Sequence, residues 1–487
     1  MATQPGAGVA GAARAGLYYM APVVVASLLP LVTLPLYTRV LSPAQYGEWA
    51  IAASVGALIS GVLSLGLLAG YERTYFASER DEHRRALLFS VCIVSALLQL
   101  VGLVSTVAAG PFLATRLLQK SSGWPLLAMG FGVSAAANLK MLMLTTLRSQ
   151  GRAREYAWYS VDETFLGTAI SLVCVLWLQW GPRGLLVGPL VAGIGVTAAL
   201  AVRLRSEMDF RFDAAEVRKV LRISLPLAPR IVIGSVGNQL DRLVLGAAGN
   251  LGAVGLYAIG QRIAQVVFAF MTALQNVYQP TVYRMFFDHA APSAIGRFLL
   301  PYAFASAGVA LAAILFIDEA LGVLAPESYA GAASVVGILA VHYGLMFFGK
   351  QPQLVFAERT GLVSLLSVGT VVLNAAGIYV GAMCGGGLGV ALGVLAAGIV
   401  SGAISLVLAT RYAQIHYPVR HVVWVFAALP LAVLAVSRIR LSGWLTPIPE
   451  LVKGVLLLLF VGAGWRAGLL PSKLRRRTPS IEQPTNG

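Results

Sequence analysis

Residues 86–109, Ala-Leu-Leu-Phe-Ser-Val-Cys-Ile-Val-Ser-Ala-Leu-Leu-Gln-Leu-Val-Gly-Leu-Val-Ser-Thr-Val-Ala-Ala, run without a charge directly after Arg84-Arg85. A helix rises 1.5 Å per residue, so a stretch of this length crosses the roughly 30 Å hydrocarbon core of a bilayer. Comparable windows recur near 17–38, 48–70, 124–147, 158–180, 184–203, 223–247, 252–278, 298–317, 330–349, 361–383, 387–410, 421–437 and 451–469. Only short polar breaks separate them. The composition agrees: of 487 residues, 58% are hydrophobic and 11% charged, with a mean hydropathy of +0.78. A soluble domain carries about a quarter of its residues as charges. The sequence therefore predicts an all-α polytopic membrane protein of about 14 transmembrane helices. No segment is long and polar enough for a separate soluble domain.

The net charge of +16 belongs to orientation rather than to nucleic acid, for which no binding motif is present. With the N-terminus placed in the cytoplasm and the spans alternating, one side collects Arg73, Arg80, Arg84, Arg85, Arg148, Arg152, Arg154 and the cluster from Arg203 to Arg222. Arg284, Arg297, Lys350, Arg359, Arg411, Arg420 and the tail residues Arg466, Lys473 and Arg475–Arg477 follow on the same side. The other side holds Arg39, Arg116, Lys120, Arg183, Arg438, Arg440 and Lys453. Roughly 25 basic residues against roughly 7 is a strong positive-inside bias. It predicts both termini in the cytoplasm. The run after Arg14 contains Pro22, Pro30 and Pro35 and leads into more membrane, so it is expected to be the first span rather than a cleaved signal peptide.

The segment from about 203 to 222 carries alternating charges and is expected to link two halves; its second part is also compatible with an interfacial helix. A weak repeat supports two halves. Pro22 to Arg39 and then Tyr46-Gly47 matches Pro226 to Asp241-Arg242 and then Gly255-Leu256-Tyr257. The expected organisation is a six-helix bundle over 1–205, a cytoplasmic linker over 206–222, a second six-helix bundle over 223–412, two additional helices over 413–470 and a cytoplasmic tail over 471–487. The two bundles are expected to face a central cavity, as parallel repeats do in transporters.

Charged groups at bilayer depth are costly and face bundle interiors or water-filled space. Lys140, Arg230, Arg242 and Arg262 fall within spans. Arg230 and Asp241 are three helical turns apart on one face, with Asn238 nearby. Arg262, Gln265, Thr272 and Asn276 share a narrow sector at 100° per residue. Asn138 accompanies Lys140, and Asp162-Glu163 sits just inside the fifth span. These residues outline a cationic cavity for an anionic headgroup: Arg230, Arg262, Lys140, Arg242, Arg39, Gln265 and Asn276 as substrate-binding candidates. The guanidinium fork suits phosphate oxygens. Asp241, Asp162 and Glu163 are candidates for ion coupling. The alternatives are ordinary ones. Arg39, Arg73 and Arg148 sit where side chains snorkel to the interface, Asp241-Arg242 is compatible with an internal ion pair, and His342 with packing.

No catalytic constellation is visible, no Walker motif is present, and Cys92, Cys174 and Cys384 form no metal or disulfide pattern. No cofactor or metal is expected, and the chain is not expected to be an enzyme.

The stretch Leu34-Pro35-Leu36-Tyr37-Thr38-Arg39-Val40-Leu41-Ser42-Pro43-Ala44-Gln45-Tyr46-Gly47 resembles the signature of the polysaccharide-transporter family, the Wzx-type O-antigen and exopolysaccharide flippases. Asp241 to Gly246 followed by Gly255-Leu256-Tyr257 is similar to its second marker, and Ala325 to Ala332 to a third. The resemblance implies the fold of the multidrug/oligosaccharidyl-lipid/polysaccharide exporter superfamily. It implies a flippase for a lipid-linked oligosaccharide on an undecaprenyl pyrophosphate carrier, working by alternating access in the bacterial inner membrane. Membrane lipid, and a polysaccharide polymerase and glycosyltransferases, are the partners it suggests. A multidrug or cation antiporter of the same superfamily is the alternative; a membrane glycosyltransferase or polymerase would need a large external loop with paired carboxylates, which is not seen.

Overall fold

The computed structural model describes residues 9–78, 80–349, 352–441 and 450–467; Lys350, Lys473, Arg475–Arg477 and the expected tail over 471–487 lie outside them. The described residues are helical, with no strand among them. Eleven of their helices are long and apolar enough to cross a membrane.

Contacts divide the chain into two units. The first comprises residues 1–263, 318–335 and 367–397, the second 264–317, 336–366 and 398–487. In the first unit, helix α1 (Val9–Val40) packs on α6 (Ala153–Leu172). Helix α2 (Pro43–Leu63) runs against α5 (Trp124–Ser149), α7 (Pro182–Arg203) and α8 (Ala214–Ala247). The second expected span is broken. Leu65 and Gly66 both have positive φ (47° and 72°), so α2 stops and a separate α3 (Leu67–Ala77) begins. A Cβ at Gly66 would meet the Ile231 side chain at 2.8 Å. Helix α4 (Asp81–Leu117) contains the opening stretch. With α3, α5, α7 and α8 it encloses a core of Tyr71, Leu87, Leu88, Val91, Leu144, Leu147, Leu200 and Val220. The Tyr71 hydroxyl is satisfied there by Thr146 Oγ1 at 2.7 Å.

The charged segment before α8 is shorter than the sequence suggested. Asp213 caps α8 by accepting from the Ala215 and Glu216 backbone N–H groups at 2.8 and 3.2 Å. Residues 214–222 are therefore the first turns of the spanning helix rather than a separate interfacial one. Helix α9 (Leu251–Phe287) contributes its beginning to the first unit and its remainder to the second.

In the second unit, α10 (Pro292–Leu315) packs on two later helices, α15 (Val419–Leu441) and α16 (Glu450–Arg466). The Phe304 and Phe460 rings stack there at 4.7 Å, with Trp424 edge-on to Phe460. The short α11 (Ile317–Leu324) leads into α12 (Ala332–Gly349), and the five-residue α13 (Pro352–Phe356) precedes α14 (Thr360–Thr410). Helix α14 is a hairpin whose turn and close-packed legs, residues 367–397, belong to the first unit. Gly385 and Gly386 leave helical geometry, Gly386 at φ 55° and ψ −134°, a region open only to glycine. The break falls where hydropathy separated spans 361–383 and 387–410. Beyond it the two legs fold back so closely that a Cβ on Gly377 or Gly381 would overlap the Gly393 or Gly389 carbonyl, and the reverse.

Small residues that let backbones touch are a main source of helix association in lipid, where apolar burial gains nothing. Gly381→Val should therefore lower the thermal stability of the detergent-purified protein by about 1–3 kcal/mol. Gly402→Val, with nothing within 4 Å of the added Cβ, should leave the melting temperature in place.

Candidate functional site

The three sequence markers lie far apart in the chain and meet at one end of the first unit. Ser42 caps α2 through a capping box: Gln45 N–H donates to Ser42 Oγ at 3.3 Å and Ser42 N–H to Gln45 Oε1 at 3.0 Å. Pro43 occupies the first turn. This fixes Tyr46 and Gly47 one turn in. At the start of α9, Asn250 Oδ1 accepts from Ala253 N–H at 2.9 Å and fixes Gly255 in the same way. The two helix starts then cross backbone on backbone. A Cβ on Gly47 would overlap the Leu251 carbonyl, and one on Gly255 the Pro43 carbonyl. The third marker closes the same end. Tyr329 is fully buried and its hydroxyl donates to the Leu41 carbonyl at 2.7 Å. Thr38 Oγ1 donates to the Leu324 carbonyl at 2.9 Å.

Deeper in the same unit, α8, α9 and α2 share a polar ring. Asp241 is buried; Oδ1 accepts from the Arg242 backbone N–H at 2.8 Å and Oδ2 from Gln261 Nε2 at 3.0 Å. The Arg242 guanidinium donates to Gln261 Oε1 at 2.6 Å and reaches Ser54 Oγ at 3.5 Å. The acid and base side chains thus meet through an intervening amide. One residue on, Arg262 donates to the Tyr46 hydroxyl at 2.9 Å and lies over the Trp49 ring, 5.4 Å from its centroid. The sequence flagged Asp241, Arg242 and Arg262. It did not flag Gln261, Tyr46 or Trp49 as their partners, because partnership across helices leaves no periodic trace.

Lys140 and Glu163, expected in two different roles, form one ion pair between α5 and α6, half-buried on both sides. Beside it Asn138 Nδ2 donates to Ser60 Oγ at 2.5 Å, and that hydroxyl donates to Gln99 Oε1 at 2.8 Å. Gln99 sits within the opening stretch and satisfies its amide inside the bundle rather than in lipid. Arg230 and Arg39 are exposed, and Asp162 is half-buried; none makes a polar side-chain contact among the described residues. Gln265 and Asn276 are exposed on α9. His342 packs its imidazole where a Cβ on Gly398 would sit. No cluster of three potential metal ligands occurs among the described residues.

The opposite, arginine-rich end of the first unit is tied by ion pairs. Arg152 binds Glu155 at 2.5 and 2.7 Å and Glu207 at 2.6 Å, and Arg203 reaches Glu155 at 3.1 Å. The hydrogen bonds to Glu155 and then Glu207 raise the Arg152 guanidinium above its usual pKa. Arg148 pairs with Glu72 at 2.9 Å. A cavity of about 640 Å³ opens here, lined by Tyr75, Arg84, Arg85, Ser149 and Arg152.

Replacing Gln261 by methionine keeps the volume and removes the amide between Asp241 and Arg242. Leaving such groups unsatisfied costs about 1–3 kcal/mol. The variant should melt lower in detergent by that amount, and a wild-type melting curve would show that the ring contributes nothing.

The sequence matches the family described as polysaccharide biosynthesis protein over residues 12–286. The chain is 24% identical over 327 residues to the succinoglycan biosynthesis transport protein ExoT of Rhizobium meliloti (strain 1021). That alignment takes in 65% of this chain and 63% of that protein, so the chain spans less than two thirds of its relative's length. Among solved structures, the lipid II flippase MurJ in an inward closed conformation is similar at a TM-score of 0.70, with 13% identity, over 93% of this chain and 99% of that one. An inward-facing multidrug resistance transporter of the MATE family in the MOP superfamily gives a TM-score of 0.65, with 15% identity, over 82% and 97%. At these identities the likeness is one of fold, an all-helical one with many helices long and apolar enough to cross a membrane. Matched over more than half of its length, the protein belongs to the polysaccharide biosynthesis protein family.

Proposed function

We propose that the protein is a flippase that carries an oligosaccharide, linked to an undecaprenyl pyrophosphate lipid, from the cytoplasmic to the outer leaflet of a bacterial inner membrane for cell-surface polysaccharide synthesis. Alternating access is the mechanism. The arginine-rich end faces the cytoplasm by the positive-inside bias, fourteen crossings put both termini there, and the end where the markers meet faces outward. The observation that supports this best is the meeting of the three markers. It seals the outward end of the first unit by backbone contact and buried hydrogen bonds, as a carrier loading from the cytoplasm requires. Family membership supplies the connection to glycans.

Arg230 and Arg262 bind the pyrophosphate. Arg230 is exposed on a membrane-spanning helix, which is tolerable only against water or an anion. Arg262, held by Tyr46 and Trp49, belongs to the outward seal and releases when that seal opens. Of the three candidate acids, Asp162 makes no polar side-chain contact among the described residues and is the one through which ion movement couples to transport. A cation antiporter would need acids free to exchange ions. Asp241 and Glu163 are instead engaged by Gln261 and Lys140, which favours the flippase.

The test is reconstitution in proteoliposomes with a labelled undecaprenyl-pyrophosphate oligosaccharide. Protein-dependent exposure of the headgroup on the far leaflet is expected. The variant Arg230→Ala/Arg262→Ala should lose it while remaining in the membrane at wild-type level. Efflux of a cationic dye without headgroup exposure would move the protein to the antiporters.

A further inference from the structure

The part of α9 in the second unit divides into three sectors at 100° per residue. Ala264, Val267, Met271, Tyr278 and Val282 form the buried one. Val266, Phe270 and Val277 are exposed and apolar, as a lipid-facing surface is. The third sector holds Gln265, Thr272, Asn276, Gln279 and Tyr283 within about 60°, with Gln275 at its edge. From Gln265 to Tyr283 it runs about 27 Å along the helix.

This strip has a distinct chemistry. No Asp, Glu, Lys or Arg occurs from residue 263 to 283. Its lower part is a ladder: Gln275 Nε2 donates to Gln279 Oε1 at 3.3 Å, and Gln279 Nε2 to the Tyr283 hydroxyl at 2.9 Å. The amides of Gln265 and Asn276 are exposed and have no hydrogen bond among the described residues. Setting such amides against hydrocarbon costs several kcal/mol each, so the strip faces water-filled space. Amides and a phenol each donate and accept, and so do sugar hydroxyls. Arg262, which the sequence puts in the same sector, stands about one turn before Gln265 and marks the strip's upper end; from residue 263 to 283 there is no cation to favour a phosphate.

We propose that this strip is the binding surface for the uncharged sugar residues of the cargo, separate from the arginines that hold its anionic end. It rests on the flippase reading for the identity of the cargo. It assigns Gln265, Asn276 and Gln279 as the residues that select among glycans.

The experiment measures binding to the detergent-purified full-length protein by titration calorimetry. The probes are the oligosaccharide released by mild acid from the lipid carrier of the producing cells, and inorganic pyrophosphate. The variant Gln265→Leu/Asn276→Leu/Gln279→Leu should weaken oligosaccharide binding at least tenfold and leave pyrophosphate binding within twofold, with the melting temperature held. Wild-type-like oligosaccharide binding by the variant, an equal loss of both probes, or no oligosaccharide binding by the wild type would each overturn the proposal. Proteoliposomes test the flippase reading separately. A selective loss of oligosaccharide binding in a protein that flips nothing would remove the flippase and keep the glycan strip.

Discussion

Helices in a bilayer gain nothing by trading lipid for protein as an apolar neighbour, so their association depends on how closely the backbones can approach. The crossing of Gly47 with the start of α9, and of Gly255 with the start of α2, is where this constraint bears most heavily. Two helix starts, each fixed by its own cap at Ser42 and Asn250, meet with no side chain between them. The same device recurs where Gly56 faces Gly130 and where Gly381 faces Gly389. A methyl group at any of these points overlaps a carbonyl oxygen. The orientation of Tyr46, Arg262 and Tyr329, and with it the polar ring below, depends on those crossings staying closed.

Electrostatics imposes the second constraint. A charge inside the membrane must be paired, hydrogen-bonded or wet. Lys140 is answered by Glu163, and Asp241 by an amide and a backbone N–H. Arg242 shares that amide, and Arg262 has a phenol and an indole face. Arg230 and Asp162 remain open among the described residues. An ion pair such as Lys140–Glu163 costs several kcal/mol when one partner is removed, because the other is left uncompensated. Loss of activity on mutating either residue therefore does not by itself place it against cargo.

Most of the spans were legible in the sequence because a bilayer forces runs of about 20 apolar residues, and even the turn at Gly385-Gly386 shows as a glycine cluster between two such runs. The break of the second span at Gly66 was not legible, since a lone glycine in an apolar run is as compatible with helix packing as with a stop. Residues 214–222 carry too many charges for a hydropathy window to include, yet Asp213 starts the spanning helix before them. The candidate charges were legible because charge in a span is conspicuous. Their partners were not. Gln261, Gln99, Tyr46 and Trp49 are chosen by helix crossings that no local pattern records, and the opposite charges of Lys140 and Glu163 point to different tasks in the sequence although the two hold each other in the fold.

The markers that carry the family resemblance are residues of closure. Gly47, Gly255, Thr38 and Tyr329 touch backbone, and their chemistry would be the same whatever sugar passed. A resemblance built on them reports the fold and the way one end seals, and says little about cargo. Selection among glycans needs groups that can match a pattern of hydroxyls, which neither a glycine crossing nor an arginine provides. On the proposed reading, an arginine binds the pyrophosphate common to every cargo of this type, whereas an uncharged amide binds what differs between them. The proposed division between closing, anion-holding and hydroxyl-matching residues explains why the family markers leave the sugar to side chains outside them.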